Sequence, residues 1–587
     1  MEPKHLSKGL FQKSLGFETD AGKSGPKYAV LPKSKAVVSK LEVLKQLQVI
    51  WAGIIFLFLS ACSDPIQPKT QYYTLAYLGN GNTQGNPPLS AQVLAGTKIT
   101  VAVNSGYLIK DGHYFAGWNT RPDGSGTSYK PGKSLLLEFD TELYAQWDSN
   151  SEREIKTFYA VTTDNIWYMV DTEKLAENDL CVVYGDVNEN ISPATAEVIA
   201  GEYAANIYPK ITGIFGDIMY MPNNNGKLFL FLLDIIDGYT GSGGYVAGYF
   251  DSSHMFDNPY SNKASMLFMD VYPGDSSALT DFSTIIAHEL QHLIHFSISM
   301  EQPQIPQKSL WINEGLSLAA EYIYGGEQAP RLNYFNGKFG DVTVDTTIPY
   351  GNNFFVWDGY WEQKYGDYLA DYSTAYLFFR WLGIQAGDDT IYKTIVNSEY
   401  ADYRAVTESA KSSINSEFSD WKTLLAAWML ANYYQQNTGL YGYKNQLPLR
   451  GNLPSLTKWM VYNSGASEPY FFPGEGVFSP ISLGSRNPSY PAGNIHYIGL
   501  PNGVFSISSG SLLGPGPYTG NVLLTFNGNT DERGDGEVGY VAPPSPGTAG
   551  MSRSAGSRNN PGPIGSPPGT YPVDFRDRAK KNRSGAP

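Results

Sequence analysis

Residues 282–296, FSTIIAHELQHLIHF, constrain the fold more than any other segment, because they combine a helical apolar pattern with three histidines. Apolar residues recur at the spacing of one helix face. The whole chain has only seven histidines in 587 residues, so three within eight positions is a marked concentration. The segment predicts a helix. Its histidines are either hydrogen-bonded core residues or part of a metal site.

Within this segment, HELQH places His288 and His292 four residues apart. Positions i and i+4 lie on the same helix face, so both imidazoles can reach one ion at about 2.0–2.1 Å. Glu289, between them, is placed to reach a metal-bound water and not the metal. This is the H-E-x-x-H arrangement of zinc metallopeptidases, which supplies two ligands and a general base from one helical turn.

A third metal ligand has to come from elsewhere in the chain, since a catalytic zinc has three protein ligands and one open position. Two cysteines exclude a thiolate cluster, so His and carboxylate ligands are expected. Residues 310–325, LWINEGLSLAAEYIYG, form a second helical pattern with Glu314 twenty-two positions after His292. Glu314 completes a His-His-Glu site; the alternative is an acidic residue that favours a helix N-terminus.

These two segments, followed by YSTAYLFFRWL, resemble the hyicolysin family of bacterial extracellular zinc metallopeptidases, within the gluzincin group. The similarity is best over residues 205–435. It implies one zinc ion held by His288, His292 and Glu314, with Glu289 as the catalytic base. It also implies a protein or peptide substrate and a thermolysin-like catalytic domain.

A gluzincin often uses a downstream tyrosine or histidine to stabilise the oxyanion. Tyr372 and Tyr376 lie four residues apart on one predicted helix face. With 42 tyrosines in the chain, a structural role is the alternative for each of them. We take Tyr372 as the candidate catalytic residue ahead of Tyr376.

Four further side chains are candidates for lining or supporting the site. Ser317 and Glu321 share the helix face of Glu314, and we expect them to contact the ligands. His295 lies about 10 Å along the helix from His288, too far to bind the same ion, so packing or a hydrogen bond to the site is expected. His254 lies in a loop-like stretch, where the cleft and the surface are equal alternatives.

Calcium is a possible second cofactor, as in many exported proteases. The acidic pairs Asp234/Asp237 and Asp251/Asp257 could hold it, although they lack EF-hand spacing and turn positions are the alternative. Cys181 has no partner in the sequence and is expected to be buried and inert.

The first 62 residues have the pattern of an export signal. Lysines in residues 33–48 lead into the apolar run 49–59, which is too short to span a bilayer. Leu59, Ser60, Ala61 and Cys62 then resemble the lipobox of bacterial lipoproteins, in which the cysteine is lipidated. We therefore expect a lipid anchor at Cys62 as the membrane attachment, and a location in the bacterial cell envelope, at the outer membrane or cell surface.

Residues 63–71 read as a polar tether, and residues 72–148 as a small β-rich module. The order YTLAYLGNGN, FAGWNTRPDGSGTSY and LYAQW resembles the internalin B-repeat type of bacterial extracellular repeat. Such modules act as spacers or contact modules. Nothing in this stretch is expected to take part in catalysis.

The fold class expected from the rest of the chain is α+β. Residues 149–445 show strand patterns followed by helix patterns, which suits a zincin catalytic domain. Residues 446–541 read as a β-rich C-terminal region, and residues 542–587 as a disordered tail rich in Pro, Gly and Ser. The net charge of −14 argues against a nucleic-acid partner, and we expect a monomer.

The leading hypothesis is a lipid-anchored zinc endopeptidase. One alternative is a surface adhesin or binding lipoprotein in which the repeat binds a partner and the metal site is structural. A structural zinc would need four protein ligands that complete its coordination, whereas the sequence offers three candidate ligands and a general base. Another alternative is a zinc aminopeptidase, although its exopeptidase signature is not visible upstream of the helix.

Overall fold

A computed structural model describes residues 71–149, 153–239, 245–273, 279–335, 338–339, 342–343, 368–447, 474, 476–480, 495–500, 522–528 and 530. The expected signal region and lipobox, the tether up to residue 70, and the tail at 542–587 lie outside these residues. The chain divides into two compact units, Met1–Gln71 and Tyr72–Pro587. All helices and strands given below belong to the second unit.

The N-terminal module is built from strands, as expected. A five-stranded sheet has the order β2-β1-β7-β4-β5, and β3 pairs with β6. Its strands are β1 Tyr72–Leu78, β2 Ala91–Leu94, β3 Thr97–Thr100, β4 His113–Asn119, β5 Ser128–Tyr129, β6 Ser134–Leu137 and β7 Thr141–Ser149. Apolar residues from several strands, including Trp118, Leu137 and Leu143, form one buried core.

The region after this module is centred on a six-stranded sheet in the order β12-β13-β11-β10-β9-β8. Its strands are β8 Ile155–Val161, β9 Trp167–Glu177, β10 Cys181–Asp186, β11 Leu228–Leu233, β12 Gly248–Tyr249 and β13 Met266–Asp270. The neighbours β10, β11 and β13 are parallel, whereas β8, β9 and β12 are antiparallel to their partners. All six residues of β11 are buried, since both faces of this strand are covered.

Nine α-helices are described in the same unit. They are α1 Pro193–Glu202, α2 Tyr208–Phe215, α3 Leu279–Glu301, α4 Leu310–Gly325, α5 Ala329–Phe335, α6 Tyr368–Ala386, α7 Thr390–Val396, α8 Arg404–Ser413 and α9 Trp421–Tyr434. Most follow the sheet, as the sequence predicts. However, α1 and α2 lie between β10 and β11, where they connect two parallel strands. The region is therefore a mixed α+β domain.

Helices α3 and α4 are buried almost completely. Ile286, Ala287, Leu290, Leu293 and Ile294 of α3 all lie in the large hydrophobic cluster that joins the helices to one face of the sheet. Residues 311–321 of α4 are all buried. Gly326 caps the C-terminus of α4: its φ of +81° suits glycine, and its N–H donates to Tyr322 O at 2.7 Å.

The N-terminal repeat module packs on the face of the six-stranded sheet that lies opposite the helices. Val103 is buried in the cluster that includes the alternate residues Phe229 and Phe231 of β11. The N–H of Phe115 donates to Asp171 Oδ2 at 2.8 Å. Because a hydrophobic contact and a hydrogen bond from a main-chain N–H to a carboxylate both cross this boundary, the module is part of the same body as the sheet.

The remaining strands follow α5 and α9. A short pair consists of β14 Lys338–Phe339 and β15 Val342–Thr343, and a three-stranded sheet has the order β16-β18-β17, with bounds Gly476–Pro480, Val522–Asn527 and Ile495–Leu500. Leu524 and Phe526 of β18 are buried in the helical cluster. Most of the expected β-rich C-terminal region, residues 446–541, lies outside the described residues. Among the described helices, none combines the length and apolar character of a bilayer span.

Candidate metal centre

Helices α3 and α4 bring His288, His292 and Glu314 together. One ligand atom from each residue lies within 4.8 Å of the others, and all three residues are buried. Oε2 of Glu314 is 3.4 Å from Nε2 of His288 and 3.8 Å from Nε2 of His292. Among the described residues, this is the one group of three or more His, Cys, Asp or Glu side chains that could hold a metal ion.

The second nitrogen of His288 is held by a carboxylate. Nδ1 lies 2.8 Å from Oε1 of Glu321, which lies about two helical turns from Glu314 on the same face of α4. An ionised carboxylate only accepts, so Nδ1 carries a proton, and Nε2, 3.4 Å from Oε2 of Glu314, is the nitrogen that would bind a metal once it has lost its own proton. Glu321 thereby selects the tautomer that a metal ligand requires.

The second nitrogen of His292 has a hydroxyl partner. The Ser317 Oγ hydroxyl donates to Oε1 of Gln291 at 2.6 Å, and it lies 2.9 Å from Nδ1 of His292. Since its proton is used by Gln291, Ser317 accepts from Nδ1–H, and Nε2 of His292, 3.8 Å from Oε2 of Glu314, is the nitrogen that would bind a cation. Ser317 and Glu321 therefore both contact the histidines.

Three buried carboxylates lie close to His288. Burial alone lowers the pKa of His288, but the carboxylates of Glu314, Glu321 and Glu289 outweigh it and raise this pKa to about 10. Nε2 of His288 and both carboxylate oxygens of Glu314 are buried without a hydrogen-bond partner of good geometry among the described residues. A divalent cation would satisfy these atoms and the charge together, so the donor set fits zinc.

Glu289 and Tyr372 both lie next to this cluster. Glu289 is fully buried, and its charge contributes to the raised pKa of His288 and, together with burial and the charge of Glu314, to that of Tyr372. Tyr372 lies on α6 and is also fully buried. The catalytic candidates chosen from the sequence therefore share one environment with the three metal-ligand candidates.

Tyr376 points to a different neighbour. Its hydroxyl donates to Oε2 of Glu327 at 2.8 Å and accepts from the N–H of Gln328 at 2.9 Å. Both partners lie in the turn between α4 and α5. Tyr376 therefore fixes this turn, which separates its role from that of Tyr372.

His295 is buried, and both of its ring nitrogens have hydrogen-bond partners outside the metal-ligand cluster. Its Nδ1 lies 2.6 Å from Oδ1 of Asn313, and its Nε2 accepts from the N–H of Lys308 at 3.2 Å. Burial and the charge of Lys308 lower the pKa of His295 to about 4, so the ring is neutral. His295 thus ties α3 to the residue that precedes Glu314.

The surface alternative for His254 is wrong. His254 lies in a short 3-10 helix, Ser252–Met255, and is completely buried, with its ring 5.0 Å from that of Phe268. Its Nδ1 accepts from the N–H of Asn262 at 3.2 Å. The local sequence did not reveal this burial, because it arises from strands distant along the chain.

The four carboxylates considered for calcium form ion pairs or hydrogen bonds with protein groups. Asp234 forms an ion pair with Lys133 of the repeat, and Asp257 forms one with Lys263 at 2.6 Å. Asp237 accepts from the N–H groups of Tyr239 and Val246. Asp251 caps the helix of His254. These contacts give the calcium expectation no support.

Cys181 is buried as expected: burial raises its pKa to about 12, and it forms no disulfide within the part of the chain that the structure describes.

Several residues that shape the site are not indicated by the metal-binding pattern. Gly315 allows α4 to approach α6, because a Cβ here would overlap the ring of Phe379. Gln291 and Asn313 are hydrogen-bond partners of residues in or near the cluster. Their positions inside the motifs HELQH and NEG could have indicated them. Arg331 contacts Glu321 from outside both motifs.

Comparisons with known proteins agree with two parts of this picture. The chain is 27% identical to the neutral metalloprotease ShpI of Staphylococcus hyicus over 264 residues, which are 43% of this chain and 56% of that protein. The chain is therefore related to a metalloprotease. Residues 73–146 match the model of the Listeria-Bacteroides repeat domain, in agreement with the repeat character predicted for the N-terminal module.

Two proteins of Evansella cellulosilytica with provisional names are also similar. One, named a membrane protein, is 27% identical over 177 residues, or 29% of this chain and 26% of its own length. The other, named a Gly-rich membrane protein, is 38% identical over 79 residues, or 13% of this chain and 9% of its own. The chain thus covers less than two thirds of each of these relatives.

Proposed function

We propose that this protein is a zinc-dependent endopeptidase of the hyicolysin type, with a thermolysin-like catalytic domain. The observation that carries the proposal is the arrangement at α3 and α4: two Nε2 atoms and a carboxylate converge, with Glu289 on the same helical turn. The similarity to a neutral metalloprotease supports it. The substrate class is an unfolded protein or a peptide.

His288, His292 and Glu314 would hold the zinc ion. When bound, zinc supplies Lewis-acid polarisation of the scissile carbonyl and of the attacking water. Glu289 takes the proton of that water and delivers it to the leaving amine. A buried carboxylate beside a cation-binding cluster is suited to this task, because low solvent access strengthens its interaction with the moving proton.

Tyr372 donates a hydrogen bond to the developing oxyanion in this proposal. Its raised pKa, which results from burial and from the charges of Glu314 and Glu289, keeps the hydroxyl protonated as a donor. Tyr376 is not assigned this role, because its hydroxyl is bonded to Glu327 and Gln328.

The protein is further proposed to be exported and anchored by a lipid at Cys62, as a monomer in the bacterial cell envelope. Two relatives named as membrane proteins are consistent with an envelope location. Membrane extraction tests this part: Cys62→Ala should release the protein from the membrane fraction, and retention of that variant would contradict a lipid anchor at Cys62.

The enzymatic proposal is tested by metal content and cleavage together. The purified chain lacking residues 1–62 should hold about one zinc per molecule and cleave casein. Glu289→Gln should keep the metal and lose activity by roughly 10²–10⁴-fold, since only the general base is removed. Full activity of Glu289→Gln would overturn the mechanism. A cleavage profile on a peptide library separates internal cleavage from release of single N-terminal residues by an aminopeptidase.

A surface-binding lipoprotein with a structural metal is the second candidate. The match of the N-terminal module to a known repeat domain favours it. It predicts a protein that binds zinc without peptidase activity, and a partner that binds to residues 72–148.

A further inference from the structure

Arg331 contacts the metal centre from a helix outside both sequence motifs. Nη2 of Arg331 lies 3.1 Å from Oε1 of Glu321, the same oxygen that lies 2.8 Å from Nδ1 of His288. The guanidinium carbon is also 5.2 Å from the ring centre of Tyr372. The Arg331 side chain is only 11% exposed, so these contacts are shielded from water.

Side chains of α6 hold the turn that leads into the helix of Arg331. The turn before α5 is held by Glu327, whose carboxylate accepts from Tyr376 and from Nε and Nη2 of the buried Arg380. The N–H of Gln328 donates to the Tyr376 hydroxyl at 2.9 Å. Helix α5 starts directly after this turn. The hydrogen bonds of the turn therefore set the position of Arg331, two residues into the helix, next to Glu321.

The guanidinium has a definite effect on the orientation of Glu321. A carboxylate that is 3% exposed and bonded only to a histidine could rotate about its last torsion. A second donor on the same oxygen removes this freedom, and arginine provides it through a rigid planar group. The ring of Tyr372 is constrained from the same side by a cation–π contact.

We propose that Arg331 is a positioning residue of the metal centre. It holds Glu321 where this carboxylate accepts from Nδ1 of His288, so that Nε2 of His288 faces Glu314. It also fixes the ring of Tyr372. The inference rests on the proposed metal site and adds a residue that neither binds the metal nor touches the substrate.

The test measures zinc affinity of the metal-free chain lacking residues 1–62, by competition with a chromogenic chelator. Arg331→Met keeps much of the side-chain volume and should weaken zinc binding about 10–100-fold, as is usual for groups that orient a ligand. Arg331→Lys should recover part of this loss, because an ammonium can donate to Glu321. The loss of activity should appear in kcat more than in KM.

Arg404→Met is the matched control. Arg404 also pairs with a carboxylate, Asp402, and lies over the ring of Tyr400, but it is 52% exposed and belongs to α8. Its zinc affinity should equal that of the wild type.

A double-variant cycle keeps the test decisive if Arg331→Met folds poorly. Arg331→Lys and Glu321→Gln are compared singly and together. Zinc-affinity losses that are smaller in combination than their sum support action through Glu321, whereas additive losses overturn it. Unchanged affinity in Arg331→Met would overturn this inference alone. A wild-type chain that takes up no zinc would overturn the metal site as well.

Discussion

Gly315 lies against the ring of Phe379, where α4 passes α6 next to the Glu314 position. A Cβ at residue 315 would overlap three ring carbons of Phe379. The close approach of these helices therefore requires glycine beside the third ligand candidate. It also explains why Tyr372, on the same helix as Phe379, reaches the environment of Glu314.

Gly315→Ala should destabilise the protein by about 1–3 kcal/mol, because an extra methyl in a well-packed core forces backbone or side-chain shifts. Zinc affinity should fall as well, since Glu314 is the adjacent residue. Denaturant unfolding and chelator competition measure the two effects. Gly201→Ala is the control: Gly201 is also helical, and nothing lies within 4 Å of its missing Cβ. Equal stabilities of the two variants would contradict the packing argument.

Zinc should raise the melting temperature of the metal-free protein. A ligand that binds only the folded state adds about 4 kcal/mol at a thousandfold excess over its Kd. The buried oxygens of Glu314 lack good hydrogen-bond partners among the described residues, so this carboxylate gains most from a cation. Glu314→Gln should abolish most of the zinc-dependent shift in calorimetry. A shift that persists in this variant would place zinc elsewhere.

The stability of the protein should fall in mild acid partly because of His254. Burial lowers the pKa of His254 below its usual 6.5. Below about pH 6.5 the unfolded chain therefore takes up a proton that the folded chain resists, and unfolding becomes more favourable by about 1.4 kcal/mol per pH unit until the folded pKa is reached. Protonation of Nδ1 would also break the bond from Asn262.

Urea unfolding between pH 8 and pH 5 tests this contribution. The comparison that matters is between wild type and His254→Gln, because other groups titrate in both. The variant should be less stable at pH 8, since it loses the packing of His254 against Phe268, and should lose less stability on acidification. Parallel pH profiles would show that His254 does not contribute.

The repeat module should unfold together with the six-stranded sheet. Asp171 of β9 accepts from Phe115 of the repeat, so Asp171→Ala leaves that N–H without its acceptor and should cost about 1–3 kcal/mol. It should also increase protease cleavage within residues 72–148. Asp140→Ala is the control, because Asp140 accepts from Thr74 inside the repeat at an exposed position. If the repeat melted in a separate transition in the wild type, the repeat and the six-stranded sheet would not form one cooperative unit.

The spacing within HELQH is enough to predict half of the centre. An α-helix has 3.6 residues per turn, so His288 and His292 must share a face wherever the helix packs. The same local geometry excluded His295 from binding the ion of those two residues, and it lies instead against Asn313. Dense apolar runs likewise predicted β11 and β13, and apolar residues at helical spacing predicted α3, α4, α6 and α9, because this local pattern marks the side chains that become buried.

The neighbours that surround those residues follow from how the helices and strands pack. Arg331 contacts Glu321 from a different helix, and Tyr376 bonds to Glu327, away from Tyr372. His254 is buried against another element, and the repeat is bonded to β9 through Asp171. Such contacts depend on how helices and strands pack, which periodicity within one segment does not encode. Periodicity and motif spacing are enough to identify the helices that carry the candidate ligands, whereas the packing of α4, α5 and α6 sets the contacts that orient those side chains.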